Sequence, residues 1–318
     1  MSDPATGTSA IDAYRGVFVP ILSPIDIDGR LHDPDNYARY IDWLIDRGVA
    51  GLFVCGSTGE LTRLIPSARR DVICATRDAV DRRVPIVAGV ACPNVADTAK
   101  VADATRELGV DAVALTPPTY FNVSSDGVEA YFDAIATATS TPIVLYQIPA
   151  FASELTSDVV ASLAARHAHI IGIKDSTGDV PAMMRTMAAV KAVRDDFFFH
   201  TGWDPVLASM VGIGVDGGTN ASAGVIPEFS VAMYQAARRG DVTRAARMQA
   251  ALVPAMDAML SLAEFPQGFR VGASTRGWDI GATQTPLSQR QLERAKAVRS
   301  TLEPIVHSLV ELASESTD

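Results

Sequence analysis

Between Gly16 and Thr219 eight short apolar runs alternate with amphipathic stretches, and no other feature of the 318-residue chain restricts its fold as much. Short apolar runs bounded by turn residues have the pattern of strands buried on both faces, as in a parallel sheet. They lie at Gly16–Leu22, Gly51–Cys55, Val84–Gly89, Asp111–Thr116, Pro142–Tyr146, Ile170–Lys174, Phe197–Thr201 and Val215–Thr219. Helices are predicted between them, at Asp35–Arg47, Ser67–Val80, Val95–Leu108, Asp126–Ala138, Ser157–Ala165, Asp179–Val193 and Asp204–Val211. Several end in Arg-Gly, Leu-Gly or Ile-Gly just ahead of the next strand, and a glycine that can turn left-handed is a helix stop. Eight βα units with short links and no break in composition predict an α/β fold, a (β/α)8 TIM barrel over residues 16–240.

Beyond the eighth strand, helices are expected at Pro227–Arg238, Val242–Leu262 and Ser288–Leu312, more than a minimal barrel needs. Residues 241–312 are therefore assigned to a C-terminal helical region, packed on the barrel or on a neighbouring subunit. The segment Glu264–Pro286 between the last two helices, rich in glycine and carrying Pro266, Trp278 and Pro286, reads as an irregular linker. Residues 1–15 are expected to form an N-terminal tail, and the small, acidic residues 313–318 a disordered one.

Charge and composition exclude several partners. A net charge of -10 gives no electrostatic reason to expect binding to nucleic acid or an anionic membrane. No apolar segment approaches the ~20 residues that span a bilayer, and Met1–Ala10 lacks a signal-peptide core, so a cytoplasmic location is expected. The three cysteines, Cys55, Cys74 and Cys92, have neither metal-ligand spacing nor the even count of a disulfide framework. Of the histidines, only His167 and His169 lie close in sequence, and no Walker or Rossmann glycine pattern follows any strand, so no metal, nucleotide or other cofactor is called for.

In such a barrel the reactive groups sit at the C-terminal ends of the strands. The sixth strand, Ile170-Ile171-Gly172-Ile173-Lys174-Asp175-Ser176, delivers a lysine at the end of an almost pure apolar run. A lysine at a strand end is commonly a snorkelling one, with a packed stem and a solvated head. With its amine facing the mouth of a site it is instead a candidate Schiff-base nucleophile. The fifth strand ends in Leu145-Tyr146-Gln147-Ile148-Pro149, and a phenol one strand away from Lys174 can both donate and accept a proton. After the second comes Gly56-Ser57-Thr58-Gly59-Glu60, whose glycines allow close backbone approach and whose hydroxyls and amides can hold a carboxylate without a formal positive charge. A plain turn capping the next helix would use the same residues. The fourth is followed by Thr116-Pro117-Pro118-Thr119-Tyr120-Phe121, where the prolines stiffen the loop and fix the direction of Tyr120. The seventh and eighth add Gly202-Trp203-Asp204 and Gly217-Gly218-Thr219-Asn220-Ala221-Ser222, from which Gly202, Thr219 and Asn220 are taken as contacts for a hydroxylated ligand.

In order and spacing, from Gly16 to Pro227, these motifs resemble the pyruvate-dependent lyase family that contains dihydrodipicolinate synthase, N-acetylneuraminate lyase and 2-keto-3-deoxygluconate aldolase. The most specific parts are Gly56-Ser57-Thr58-Gly59-Glu60, Tyr146-x-x-Pro149 and Gly172-Ile173-Lys174-Asp175. The resemblance implies that Lys174 forms an imine with a small-molecule 2-keto acid and that Tyr146 relays protons. It implies that Ser57 and Thr58, on the loop opened by Gly56, bind the keto-acid carboxylate and link to that tyrosine. Tyr120 aligns with a tyrosine that crosses a dimer interface to complete the relay in the neighbouring site, which implies a homo-oligomer, dimer or tetramer.

The departures from the family pattern bear on substrate. Dihydrodipicolinate synthases carry an arginine for a substrate carboxylate two residues after the proline of the tyrosine segment, where this chain has Phe151, so the lysine-pathway condensation is disfavoured. N-acetylneuraminate lyases follow Gly-Tyr-Asp with a glutamate, whereas Gly202-Trp203-Asp204 is followed by Pro205. Lys174-Asp175-Ser176 and Tyr146-Gln147-Ile148-Pro149-Ala150 are similar to the aldolases and dehydratases of 2-keto-3-deoxy sugar acids. Gln147 replaces the usual asparagine, and Ala152-Ser153 stand where Thr/Ser-Gly is common. The expected function is a class I aldolase that joins or cleaves pyruvate and an aldehyde. A dehydratase using the same imine, a dihydrodipicolinate synthase-like condensation and a non-catalytic keto-acid-binding protein are the alternatives.

Overall fold

All eight predicted strands form in the computed structural model, which describes residues 10–262 and 264–315. They are β1 (Gly16–Pro20), β2 (Gly51–Val54), β3 (Ile86–Gly89), β4 (Ala112–Leu115), β5 (Ile143–Gln147), β6 (Ile170–Asp175), β7 (Phe198–Thr201) and β8 (Gly217–Thr219). Neighbouring strands are parallel, and β8 pairs back onto β1 with Gly16 opposite Gly217, which closes the barrel. The intervening helices are α1 (Pro34–Asp46), α2 (Pro66–Val80), α3 (Val95–Glu107), α4 (Ser125–Ala138), α5 (Ser157–Arg166), α6 (Val180–Lys191), α7 (Leu207–Gly212) and α8 (Pro227–Arg238).

Short polar side chains set several helix starts. Asn94 accepts from the Asp97 amide at 2.9 Å ahead of α3, and Asp179 accepts from the Ala182 amide at 2.8 Å ahead of α6. The Arg-Gly, Leu-Gly and Ile-Gly endings act as stops, with Gly48, Gly109 and Gly214 all at positive φ.

The strand pleat sorts the apolar side chains into two cores. Val17, Val19, Leu52, Val54, Leu145 and Ile173 face outward under the helices, whereas Phe18, Phe53, Val87, Val144 and Phe198 fill the barrel. A short 3-10 helix, Ala10–Tyr14, closes the N-terminal end, its Tyr14 ring stacked on Phe198 with centroids 4.6 Å apart. Part of the expected N-terminal tail is therefore built into the core, because Tyr14 completes the barrel's aromatic filling; residues 1–9 lie outside the described residues.

In the C-terminal region α9 (Val242–Leu260) and α11 (Gln289–Ser314) form as predicted, the latter opened by a capping box between Ser288 and Gln291. The irregular linker is corrected by α10 (Gln267–Thr275). The glycines that disguise this helix serve close packing: a Cβ on Gly268 would lie 1.8 Å from the carbonyl oxygen of Met259 on α9. Because α11 runs to Ser314, the start of the expected disordered tail is helical, and residues 316–318 lie outside the described residues. No helix among the described residues is long and apolar enough to cross a membrane.

Candidate active site

A bulge in β6 decides which of its side chains meets β5. The register runs Ile143 to Ile170 and then Val144 to Gly172, leaving one extra residue on β6. Tyr146 consequently pairs with Lys174, where an unbroken ladder would have placed Ile173, and on the other side Lys174 pairs with His200. A bulge can re-aim a side chain in this way. The end of β6 is then tied to both neighbours, since the Ser176 amide donates to Gln147 O at 2.9 Å and the Gly202 amide to Asp175 O at 2.6 Å. The buried Asp175 carboxylate accepts from the Thr177 amide at 2.7 Å and holds the turn that follows.

Lys174 is buried, and its Nζ lies 4.0 Å from the Tyr146 ring centroid and 4.7 Å from that of Phe53. The two rings meet edge to face at 5.8 Å, so the amine is seated on a preformed aromatic corner. The Tyr146 hydroxyl is 3.3 Å from Ser57 Oγ. Burial pushes the Tyr146 phenol up, but the Lys174 charge and hydrogen bonds with Ser57, Lys174 and Ser176 outweigh it and hold the phenol below its ordinary value. An amine, a phenol and a hydroxyl in one chain can move protons between a reacting centre and the loop after β2.

That loop is fixed from outside the barrel. The Glu60 amide donates to Ser57 O at 3.0 Å and closes a turn over Ser57-Thr58-Gly59. The buried Glu60 carboxylate accepts from Arg270 Nη2 at 2.7 Å on one oxygen, and from Thr283 Oγ1 at 2.9 Å and Arg63 Nη1 at 3.0 Å on the other. Burial opposes its charge, yet the Arg270 guanidinium and these hydrogen bonds keep its pKa below the usual carboxylate value. Arg270 sits on α10, in the segment whose sequence reads as a linker. Its one signal there is a lone charge in Gly268-Phe269-Arg270-Val271-Gly272, which requires a buried partner.

The other expected contacts divide. Gly56 and Thr58 are buried on the loop beside half-buried Ser57. Gly202 presses against the lysine: a Cβ there would come 2.1 Å from Ser176 Oγ and 2.7 Å from Lys174 Cε. Thr219 points into the barrel, where its Oγ1 donates to His200 Nδ1 at 3.0 Å while His200 Nε2 donates to Tyr14 O at 2.5 Å. His200, which sequence reading considers only as a metal ligand, is thus a buried interior residue, its pKa lowered to about 4 by desolvation, which the hydrogen bond to Tyr14 O offsets only in part. Asn220 is not on the same face as Thr219. The pleat turns it opposite to Thr219, and its fully buried amide folds back over Gly218 on the side facing Leu207. Asp204 is buried and accepts from the Ser222 amide at 2.7 Å, linking the loops after β7 and β8. Tyr120 does not reach its own chain's Lys174: it is 94% exposed, at φ 70, its ring edge-on to Phe121. Phe151 is also exposed, and its loop is tied to the Tyr120 loop by the Ser153 amide and hydroxyl, both donating to Pro118 O at 3.0 and 3.1 Å.

Comparison with known proteins gives a consistent set of relatives. The dihydrodipicolinate synthetase family matches residues 13–305. The probable 2-dehydro-3-deoxy-D-pentonate aldolase YjhH of Escherichia coli (strain K12) is 32% identical over 241 residues, covering 76% of this chain and 80% of the relative. A 4-hydroxy-tetrahydrodipicolinate synthase of Methanoculleus marisnigri is 30% identical over 292 residues, covering 91% of this chain and 98% of the relative. The crystal structure of YagE from E. coli K12, a prophage protein of the dihydrodipicolinic acid synthase family in complex with pyruvate, matches with a TM-score of 0.85. It is 30% identical, over 92% of this chain and 98% of that one.

Proposed function

The chain belongs to the dihydrodipicolinate synthetase family and is a lyase, and from that premise we propose that it is a class I aldolase that releases pyruvate from, or adds it to, a 2-keto-3-deoxy sugar acid skeleton. One observation carries this reading: Lys174 Nζ rests 4.0 Å from the ring of Tyr146, whose hydroxyl is 3.3 Å from Ser57 Oγ. In the proposed cycle the Lys174 amine attacks the C2 carbonyl of the keto acid, and Tyr146 shuttles the protons that let water leave as the imine forms. Ser57 and Thr58, with the amides of their loop, hold the carboxylate. The cationic imine is the electron sink. Tyr146 takes the proton of the C4 hydroxyl, the C3–C4 bond breaks to give an aldehyde, and the bonding pair remains as the pyruvate enamine. Protonation at C3 and hydrolysis of the imine return pyruvate and free Lys174.

The choice of a sugar acid is supported by the likeness to YjhH and by the lack of a guanidinium at Phe151, where the carboxylate of an incoming aspartate semialdehyde would need one. A panel of 2-keto-3-deoxy pentonates and hexonates, assayed separately for pyruvate release and for loss of water, tests it. Pyruvate release on at least one member, with condensation of pyruvate and aspartate semialdehyde at least ~100-fold slower, is the expected result. Water loss without pyruvate, or fast condensation with the semialdehyde, would overturn it.

A further inference from the structure

We propose that Arg270, carried on α10 outside the barrel, is a positioning residue for the Ser57–Tyr146 arm of the site, acting through Glu60 on the turn that presents the Ser57 hydroxyl. This rests on the reading that Ser57 and Tyr146 serve the Lys174 imine.

The two charged side chains are almost wholly withdrawn from solvent, Glu60 1% and Arg270 6% exposed. A simple mechanical tie between α10 and the loop needs no charges, since apolar groups of similar volume hold as well or better. A guanidinium adds direction, because its donors lie in one fixed plane. Here Nη2 donates to Glu60 Oε2 at 2.7 Å and to Ser23 O at 3.0 Å, while Nη1 donates to Ile280 O at 2.5 Å. Ser23 in turn donates its hydroxyl to Gly59 O at 2.6 Å. One planar group therefore fixes two consecutive residues of the loop, Gly59 through Ser23 and Glu60 directly.

Glu60 has φ 57, a left-handed backbone that a non-glycine residue keeps only where its surroundings dictate it. Its amide closes the turn on Ser57 O, so a change in its backbone rotates the turn that holds Ser57 Oγ 3.3 Å from the Tyr146 hydroxyl. The path from Arg270 to Lys174 is thus a series of direct contacts: Glu60 carboxylate, Glu60 amide, Ser57, Tyr146 and the amine. It makes the C-terminal helical region a working part of the site.

The test uses the double variant Glu60→Gln/Arg270→Met, which removes both buried charges and leaves neither unpaired, with Arg270→Lys as the conservative variant. Thermal unfolding and near-ultraviolet circular dichroism check the fold. The readouts are the rate at which pyruvate and borohydride inactivate the enzyme, and the alkaline limb of the pH profile of that rate. The double variant should inactivate at least ~10-fold more slowly, with its alkaline limb moved to higher pH because Tyr146 has lost the Ser57 hydrogen bond. Arg270→Lys should fall between it and the parent. A folded double variant with the parent's rate and limb would overturn the proposal. If the double variant does not fold, parent-like values in folded Arg270→Lys would do the same. Failure of the parent itself to be inactivated would instead count against the Lys174 reading, which separates the two claims.

Discussion

Tyr146 is held between a burial that disfavours its phenolate and a lysine charge and hydrogen bonds that favour it, and the second set wins. Tyr146→Phe deletes the relay and very little volume, so turnover should fall by about 100-fold or more while the unfolding temperature stays near the parent's. Steady-state kinetics beside thermal unfolding check it, and turnover within a few-fold of the parent would remove Tyr146 from the mechanism. His200 gives a prediction about stability. Its folded pKa of about 4 lies below its ordinary 6.5, so an unfolded chain binds a proton that the folded one refuses. The stability it contributes is complete above 6.5 and is lost as pH falls from there towards 4, on the order of 3 kcal/mol in all. Over that interval the parent should lose more stability than His200→Gln; equal losses in the two would mean that His200 is not buried neutral. Lys174, Tyr146 and Ser57 are legible in sequence because each stands at the end of an apolar run or in a glycine-bounded turn. Arg270 pairs with Glu60 across 210 positions, and no local pattern spans that distance. The face that Asn220 takes is not legible, because the pleat beyond the last strand residue has no apolar alternation to fix its phase.

The strands and the helices of the barrel follow from the periodicity, and two element-level details do not. One is α10, hidden because Gly268 and Gly272 resemble loop residues while they allow close helix packing. The other is the bulge in β6, which shifts the register by one residue and sets Lys174 beside Tyr146. The only local mark of the extra residue is Gly172 beside it, since a glycine inside a strand often accompanies a bulge, and the apolar run around it does not say by how much the register shifts. The end of β7 supplies the element's own test. Because a Cβ on Gly202 would sit 2.7 Å from Lys174 Cε and 2.1 Å from Ser176 Oγ, Gly202→Ala should displace the lysine stem and cut kcat by about 10-fold or more. The variant should still bind carboxylate-bearing inhibitors that use the loop after β2. Parent-like kcat in Gly202→Ala would show that the lysine stem tolerates the displacement.

On the scale of the whole molecule, the barrel presents an aromatic surface beside its mouth: Tyr120 is 94% exposed, Phe121 74% and Phe151 58%, on loops tied together at Ser153. Exposed aromatics grouped in this way suit contact with another surface, and from the resemblance of Tyr120 to a family tyrosine that crosses a dimer interface we propose that this surface is a second copy of the chain, with Tyr120 entering the neighbour's site. Mixed dimers of Lys174→Ala and Tyr120→Phe chains, each inactive alone, should then regain activity, since one of the two sites holds both intact residues. No recovery in verified mixed dimers would confine each site to its own chain. The expectations about catalysis all depend on the lysine. Mass spectrometry of protein treated with pyruvate and borohydride reads it directly: the imine account predicts one stable reduced adduct on the Lys174 peptide, absent in Lys174→Ala and in Lys174→Arg, whose guanidinium is a poor nucleophile. Intact, unmodified Lys174 in a preparation that turns over its substrate would contradict the account.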